Sequence, residues 1–434
     1  MNPLYRNDLP GQLPQSWYVA STDIPPERPP LYGETRADVC IIGAGFTGLS
    51  AARHLAEKGL DVVVLDAHRA GFGASGRNGG QVHSGFNASQ RSLEKAYGRD
   101  RAKMLWAFSQ EAKSDLRGTC QEHVNDAMYQ PGVAHGFYTA KEAEKQTDEI
   151  AHLAATYGYD QIRPLQPDDL RALVKSPRYQ GGYLDEGGGH IHPLRYAFGL
   201  ARLAETAGAR LYDRSEVVEI RHGDPACLLT GDGCVKARHV ILAGNGYLPK
   251  IAPRVAAKVM PINSFICATQ PLGAKAADIL SRDIAVADSK FVVNYFRLSE
   301  DKRLLFGGRE SYGIGFPKDI RSALIARMVH LFPQLSGTQI DYVWGGTLGI
   351  TLPRLPALQR LAPNVLSGAG FSGHGVALAG FTGKLMAEAV AGQAGRFDTL
   401  CDLDVPDFPG GAALRAPLLT LAMSWYALRD RLGI

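Results

Sequence analysis

The chain alternates between two kinds of hydrophobic pattern, and the change from one to the other divides it. From Asp38 to Asp66 the apolar residues come in unbroken runs, Val39 to Ile42 and then Val62 to Leu65. Such runs predict short strands buried on both faces, as in a parallel sheet covered by helices. Between them Leu49, Ala52, Leu55 and Ala56 keep helical spacing, and Gly59 stands where a helix C-cap belongs. From about Ser89 to Asp185 the pattern differs. Leu105, Phe108, Ala112 and Leu116 share one helical face, Gly132 to Thr139 alternates like a strand, and a second helix is expected around Lys141 to Tyr157. A helix opening at His192-Pro193, with Gly208 beyond its end, leads back to short strands at Glu216 to Ile220 and His239 to Ala243. Antiparallel strands follow: Phe265 to Thr269, then Phe291 to Leu298 and Leu304 to Gly308 around the polar turn Ser299 to Arg303. A helix from about Ile320 to Phe332 aligns Leu324, Met328 and Leu331. After a last glycine loop and a helix through about Ala391, the stretch Leu414 to Leu432 has an apolar face that more often packs on its own domain than lies on a membrane.

The chain thus passes twice between a cofactor-type domain and a second, antiparallel-sheet domain, an interleaved α/β fold with ligands held between the two. The expected boundaries are a Pro-rich arm at 1–36, anchored by Trp17 and Tyr18; the first domain at 37–88, 186–258 and 345–400; the second at 89–185 and 259–344; and a C-terminal helix at 410–434. Hydrophobic content of 45% and charged content of 21% over 434 residues are those of a soluble globular protein with a large core. The net charge of +4 comes without a run of Lys and Arg among aromatics, which argues against a nucleic-acid partner. Six cysteines form no C-x-x-C pair and no metal-ligand spacing with His, so structural thiols and no metal are expected. The N-terminus lacks the basic start and apolar core of a signal peptide, and no segment reaches the ~20 apolar residues of a membrane helix. A cytoplasmic location is the expectation, and a homo-oligomer is left open.

Three glycine segments carry the candidate chemistry. Gly43, Gly45 and Gly48 have the G-x-G-x-x-G spacing between a strand and a helix, and Asp66 ends the next strand about 20 residues on, the arrangement that binds the pyrophosphate and ribose of a dinucleotide. Alone it fits an ADP-like group of either FAD or NAD. Gly71 to Gln81 is glycine-dense and reads equally as a crossover loop or a cofactor loop. In Asn364 to Gly375 the glycines Gly368, Gly370 and Gly373 repeat the spacing, yet no acid-terminated strand follows. That segment is better read as a helix N-terminus aimed at a cofactor atom that becomes negative on reduction.

GFGASGRNGGQ (Gly71 to Gln81), GAGFSGHG (Gly368 to Gly375), the Gly246 turn and Trp344-Gly-Gly-Thr347 together resemble the D-amino acid oxidase superfamily of flavoproteins, and within it the γ-glutamylputrescine oxidase group. The resemblance runs from Ser16-Trp-Tyr18 to Trp425-Tyr426. It implies non-covalent FAD in a Rossmann-like, glutathione-reductase-type domain. Gly43, Gly45, Gly48 and Asp66 then hold the ADP half, Val218 touches the adenine side, and Ser75, Arg77, Asn78, Gly79 and Gln81 lie beside the isoalloxazine. Gly244 is a further contact, and Gly370, Phe371, Ser372, Gly373, His374, Gly375 and Val376 bind the pyrimidine end. The implied chemistry is oxidation of a C–N bond: hydride passes from an unprotonated amine's α-carbon to flavin N5, the imine hydrolyses to an aldehyde, and oxygen takes the electrons to give hydrogen peroxide. No general base is required. Arg77, Gln81 and His374 are the candidates nearest the reacting centre, and His192 is read as a helix cap or buried hydrogen-bonding residue.

Departures from the superfamily pattern bear on the substrate. Sarcosine oxidases resemble this chain around GFSGHG but carry a carboxylate-binding Lys where it has Ala377, and D-amino acid and glycine oxidases place a carboxylate-clamping Arg where it has Leu348. A buried carboxylate without a cation is costly, so the expected substrate is an aliphatic amine with no carboxylate at the flavin. Tyr295, Trp344, Leu348 and Ala377 are the substrate candidates; Arg309 and Tyr312 are read equally as surface residues. Gly346 stands where some relatives attach FAD through Cys, hence the non-covalent expectation. The rivals are an amino-acid or N-methyl amino-acid oxidase or dehydrogenase, the latter passing electrons to a quinone, and a flavin-holding subunit without catalysis.

Overall fold

In the computed structural model, which describes residues 3–248, 251–311 and 315–410, the unbroken apolar runs form the interior of a parallel sheet. Strand Gly33–Ile42 pairs in parallel with Val62–Leu65 on one side and Gly233–Leu242 on the other. The sheet order is Ala357–Ala362, Val365–Ala369, Gly233–Leu242, Gly33–Ile42, Val62–Leu65, Arg210–Tyr212, antiparallel only at its first pair along this path. Every side chain of Val62–Leu65 is fully buried, worth about 1.5–3 kcal/mol each relative to exposure. Ile42 is in register with both Leu65 and Leu242, so the first glycine turn leaves at the carboxyl edge, where such sheets bind ligands.

Two helices close over that edge through missing side chains. Helix Phe46–Ala56 lies against its strand at Gly48, where a Cβ would stand 1.9 Å from the Gly43 carbonyl oxygen. Helix Gly375–Val390 crosses it at Gly383, where a Cβ would stand 2.2 Å from the Thr47 carbonyl oxygen.

The second sheet runs Ile340–Ile350, Met260–Thr269, Leu304–Ser311, Tyr295–Leu298, Ala285–Asp288, Gln130–Gly136, Gly182–His190, Gln81–Val82, with Ile162–Leu165 branching from Gly182–His190. It is antiparallel except where Gln130–Gly136 and Ala285–Asp288 run parallel. Helix Arg321–Leu331 buries Leu324, Met328 and Leu331 in this sheet's core, on the face its spacing predicts.

Several expectations need correction. The local pattern places helix Arg99–Glu122 in the second unit, but its apolar face, Leu105, Phe108, Ala112 and Leu116, joins the core of the parallel sheet, with the Phe108 ring 5.7 Å from that of Phe381. The reason is that Gly375–Val390 offers it a complementary apolar face, a long-range fact that local spacing does not carry. The boundaries at 185/186 and 344/345 fall inside strands Gly182–His190 and Ile340–Ile350. Strands begin only at Glu219 and Tyr295. The arm is not a surface strap alone: helix Trp17–Ala20, capped by Ser16, buries Trp17 and Tyr18 among Leu194, Ile266, Leu305 and Trp344. Tyr312, the side chain of Arg309 and the stretch Leu414 to Leu432 lie outside the described residues. Among the described residues no helix is long and apolar enough to cross a membrane.

Candidate active site

A single continuous cavity of about 690 Å³ runs from the carboxyl edge of the parallel sheet to the second sheet. Its first part is walled by Gly43, Gly45, Asp66, Gly244 and the loop residues Glu216 and Val217. Gly43, at φ +104, has no room for a side chain, because a Cβ would stand 2.9 Å from the Ala243 carbonyl oxygen. The carboxylate of Asp66 accepts from the Ala44 N–H at 2.7 Å and the His68 N–H at 2.8 Å. Burial pushes its pKa up to about 6 despite those bonds.

The middle of the cavity lies between the two glycine loops. Asn78 locks the first by accepting from the Gly80 N–H at 2.7 Å and donating to the Ala74 and Ser75 carbonyls at 3.0 Å. Ser75 accepts from the Phe46 N–H at 2.9 Å, which ties the loop to the first helix. Buried Arg77 donates from Nε to the Phe72 carbonyl at 2.7 Å and from Nη1 to Asp8 at 3.1 Å and the Gly345 carbonyl at 3.2 Å. Gln81 donates to the Val286 carbonyl at 2.9 Å, joining loop to second sheet. The second loop turns through left-handed Gly370, Ser372 and Gly373, and Ser372 Oγ accepts from the Thr351 N–H at 3.1 Å. Phe371 to Val376 then present the first turn of helix Gly375–Val390 to the cavity, with its N–H groups that have no intrahelical acceptor.

The far part carries groups the sequence did not single out. His83 lies 4.8 Å from His374, ring to ring, and His135 stacks on Tyr183 at 5.3 Å. Burial depresses all three imidazoles, His83 to about 4 and His135 to about 3, and His83 adds to the effect at His135 and His374, so they are neutral at neutral pH. Tyr295 lies over Gly307, where a Cβ would stand 2.1 Å from its ring, and shares a 3.1 Å hydrogen bond with Ser264. Beyond them Ser84 donates to Asp185 at 2.5 Å, Lys113 donates to Ser84 at 2.5 Å and to Tyr159 at 3.1 Å, and Tyr159 donates to Asp185.

Of the sequence-selected residues, Gly43, Gly45, Asp66, Ser75, Arg77, Asn78, Gly79, Gln81, Gly244, Tyr295, Leu348 and Phe371 to Val376 border this cavity. Others do not. Val218 points outward, 57% exposed, and its neighbour Val217 takes the wall, because adjacent residues of extended chain face opposite ways. Trp344 is buried against Tyr18 and donates from Nε1 to the Arg77 carbonyl at 3.0 Å, supporting the loop from beneath. Ala377 turns into the core while Val376 and Ala379 line the cavity. Gly48 and Gly370 shape the backbone behind the wall. His192 caps helix Pro193–Thr206 by accepting from the Arg195 N–H. The arm also reaches the site: Leu4 lines the cavity, and its carbonyl accepts from His68 Nε2 at 2.8 Å while His68 Nδ1 accepts from the Gly11 N–H at 3.1 Å.

A flavin dinucleotide fits these residues. The glycine cradle admits backbone close to a pyrophosphate, Asp66 offers acceptors to a ribose, and Arg77 Nη2 and His374 Nδ1 are buried polar atoms left without a hydrogen-bond partner.

Comparison with known proteins agrees. Residues 38–389 match the DAO family model, described as FAD dependent oxidoreductase. The chain is 41% identical over 417 residues to the probable oxidoreductase OrdL of Rhizobium meliloti, covering 96% of this chain and 97% of that one. It is 40% identical over 423 residues to the gamma-glutamylputrescine oxidoreductase of Escherichia coli, covering 96% and 99%. Glycine oxidase from Geobacillus kaustophilus shares the fold, with a TM-score of 0.70 over 82% of this chain and 95% of that one at 21% identity. Glycine cradle, ribose-type acid, two flavin-type loops and full-length similarity thus lead to one conclusion: the chain belongs to the DAO family of FAD-dependent oxidoreductases.

Proposed function

We propose that the protein oxidises the primary amine of a γ-glutamylputrescine-like aliphatic chain to an aldehyde, with oxygen as the final acceptor and hydrogen peroxide as the second product. FAD, when bound, accepts the hydride lost by the amine-bearing carbon. The chain supplies the rest. Asp66 and the first glycine turn would hold the ADP half, and the first turn of helix Gly375–Val390 would offer N–H groups to negative charge developing at the pyrimidine end. Neutral His83, His135 and His374 add no positive charge of their own beside the incoming amine.

The observation that carries this reading is Leu348. It lines the cavity in the strand position where amino-acid oxidases of the superfamily resemble one another in placing a carboxylate clamp, and Arg77 is already paired with Asp8. One observation favours a second reading, an amino-acid or N-methyl amino-acid oxidase. Arg354 borders the cavity in a left-handed conformation, φ 62°, with no ion-pair partner among the described residues. Anaerobic flavin bleaching separates them: γ-glutamylputrescine is expected to bleach the enzyme at least tenfold faster than sarcosine or D-alanine, and the reverse order would replace the first reading by the second. Readmitting air is expected to restore the oxidised spectrum within seconds; a spectrum that stays bleached would make the protein a dehydrogenase.

Asp66 adds a pH dependence to cofactor binding. Its folded-state pKa is raised to about 6, so the apoprotein holds a proton there below that pH. A ribose hydroxyl donates best to the ionised carboxylate, so binding favours the deprotonated form and FAD affinity is expected to rise with pH up to about 6 and level off above it, by at most tenfold per pH unit. Titrating deflavinated protein with FAD between pH 5 and 8 checks this, and Asp66→Asn is expected to flatten the profile.

A further inference from the structure

The far end of the cavity holds a carboxylate, an ammonium and two hydroxyls whose arrangement the amine chemistry does not use. Asp185, Ser84 and Tyr159 border the space, and Lys113 stands behind the two hydroxyls. Asp185 accepts from Ser84, Tyr159 and the Gly187 N–H at 3.0 Å, which leaves one of the four acceptor positions of an ionised carboxylate open, on Oδ2. Burying a Lys and an Asp side by side is unfavourable unless each finds compensation, and it is seldom arranged for stability alone.

We propose that this cluster is a second recognition subsite, which binds a zwitterionic α-amino-acid head at the end of the substrate remote from the oxidised carbon. The inference deepens the γ-glutamylputrescine-like reading and rests on it for the substrate's identity. The substrate ammonium would donate to Asp185, which keeps its Gly187 N–H bond. The hydroxyls of Ser84 and Tyr159 would turn from Asp185 to the substrate carboxylate while still accepting from Lys113. The open position on Asp185 Oδ2 is filled and both hydroxyls keep an acceptor throughout, so the exchange needs only rotation of two O–H bonds.

Charge selects the class of head. Asp185 and Lys113 together are net neutral, so a zwitterion enters without leaving an unpaired buried charge, whereas a lone ammonium or a lone carboxylate would leave one. Burial lowers the Lys113 pKa to about 8, which still keeps it mostly protonated at neutral pH. Trp106 and Tyr159, edge to face at 5.1 Å, flank this end with apolar surface suited to the methylenes between.

The test reads binding, not turnover. Three butylamides that lack the putrescine-end amine are titrated into the flavin-loaded enzyme without oxygen and followed calorimetrically, with the flavin spectrum checked for bleaching: γ-glutamyl-butylamide, glutaryl-butylamide without the ammonium, and 4-aminobutyryl-butylamide without the carboxylate. The wild type is expected to bind the first at least tenfold more tightly than either of the others. Asp185→Asn is expected to abolish the preference over glutaryl-butylamide, and Lys113→Met the preference over 4-aminobutyryl-butylamide, both with unchanged flavin content. Equal binding of the three by wild type, or a parallel loss of all three in Asp185→Asn, would overturn the subsite. Failure of γ-glutamylputrescine to bleach the flavin would count against the proposed reaction alone, because the butylamide preferences are measured without it.

Discussion

Gly48→Ala is expected to yield a protein that purifies without flavin and melts early. A Cβ at this position would stand 1.9 Å from the Gly43 carbonyl oxygen and 3.2 Å from Ile41 Cγ2, both parts of the strand and turn on which helix Phe46–Ala56 lies. Neither neighbour can yield. Ile41 is fully buried, and Gly43 is itself pressed against the Ala243 backbone. The helix must therefore move off the strand, which costs about 3 kcal/mol as overpacking of a close-packed interior and opens the turn that would carry the pyrophosphate. Loss of FAD affinity of at least 100-fold is expected, read as the ratio of flavin to protein absorbance after gel filtration, together with a lowered melting temperature. Gly59→Ala is the control. Gly59 has positive φ, +81, unlike Gly48, but nothing lies within 4 Å of its Cβ position, so only the backbone cost of about 1–2 kcal/mol applies and flavin is retained. A flavin-replete Gly48→Ala protein would show that the close approach is not what holds the cofactor.

That contrast shows why the first domain was legible. A strand buried on both faces must be apolar at every position, and a helix pressed onto it must have Gly where backbones meet, so the local run from Val39 to Asp66 carries its own three-dimensional meaning. The second sheet is read from alternation, which locates strands but not their ends. Phe291 and Val293 continue the alternating pattern yet line the cavity as loop, and Glu216 and Val217 do the same on the other side. Faces fail by single residues: the Val217 and Val218 exchange is one such case, and Ala377, one residue past Val376, rotates about 100° around its helix into the core. Trp344 shares a face with Leu348 but stands four residues before it on strand Ile340–Ile350, past the end of the cavity and under Tyr18. The residues missed altogether, His83, Lys113, His135, Tyr159 and Asp185, come from separate elements and meet only through sheet register and a helix from the other layer. No spacing rule connects them. Only His83 and Ser84 carried a local signal, directly after the glycine-dense loop.

The largest change in substrate preference is expected from Leu348→Arg. Leu348 is half-buried, with one side on the cavity and the other against Met260, Ile262, Ile350 and Phe408. A guanidinium there cannot lose its proton and finds an apolar wall in place of a partner. An uncompensated buried cation costs about 3–5 kcal/mol, but part of that is relieved by leaning toward the open cavity, so about 2–3 kcal/mol is the expected penalty for placing an amine beside it. At 1.4 kcal/mol per tenfold, kcat/KM for γ-glutamylputrescine falls by about 30-fold to 140-fold. The same cation supplies what a substrate with an α-carboxylate lacks in the wild type, so reduction by D-alanine or sarcosine is expected to become measurable in stopped flow, with saturation at millimolar concentration. The two effects must appear together. A fall with γ-glutamylputrescine and no gain with either amino acid would mean that Leu348 shapes the wall without deciding which head group faces the flavin, and the choice would then pass to Arg354, the remaining cation on the cavity without an ion-pair partner among the described residues.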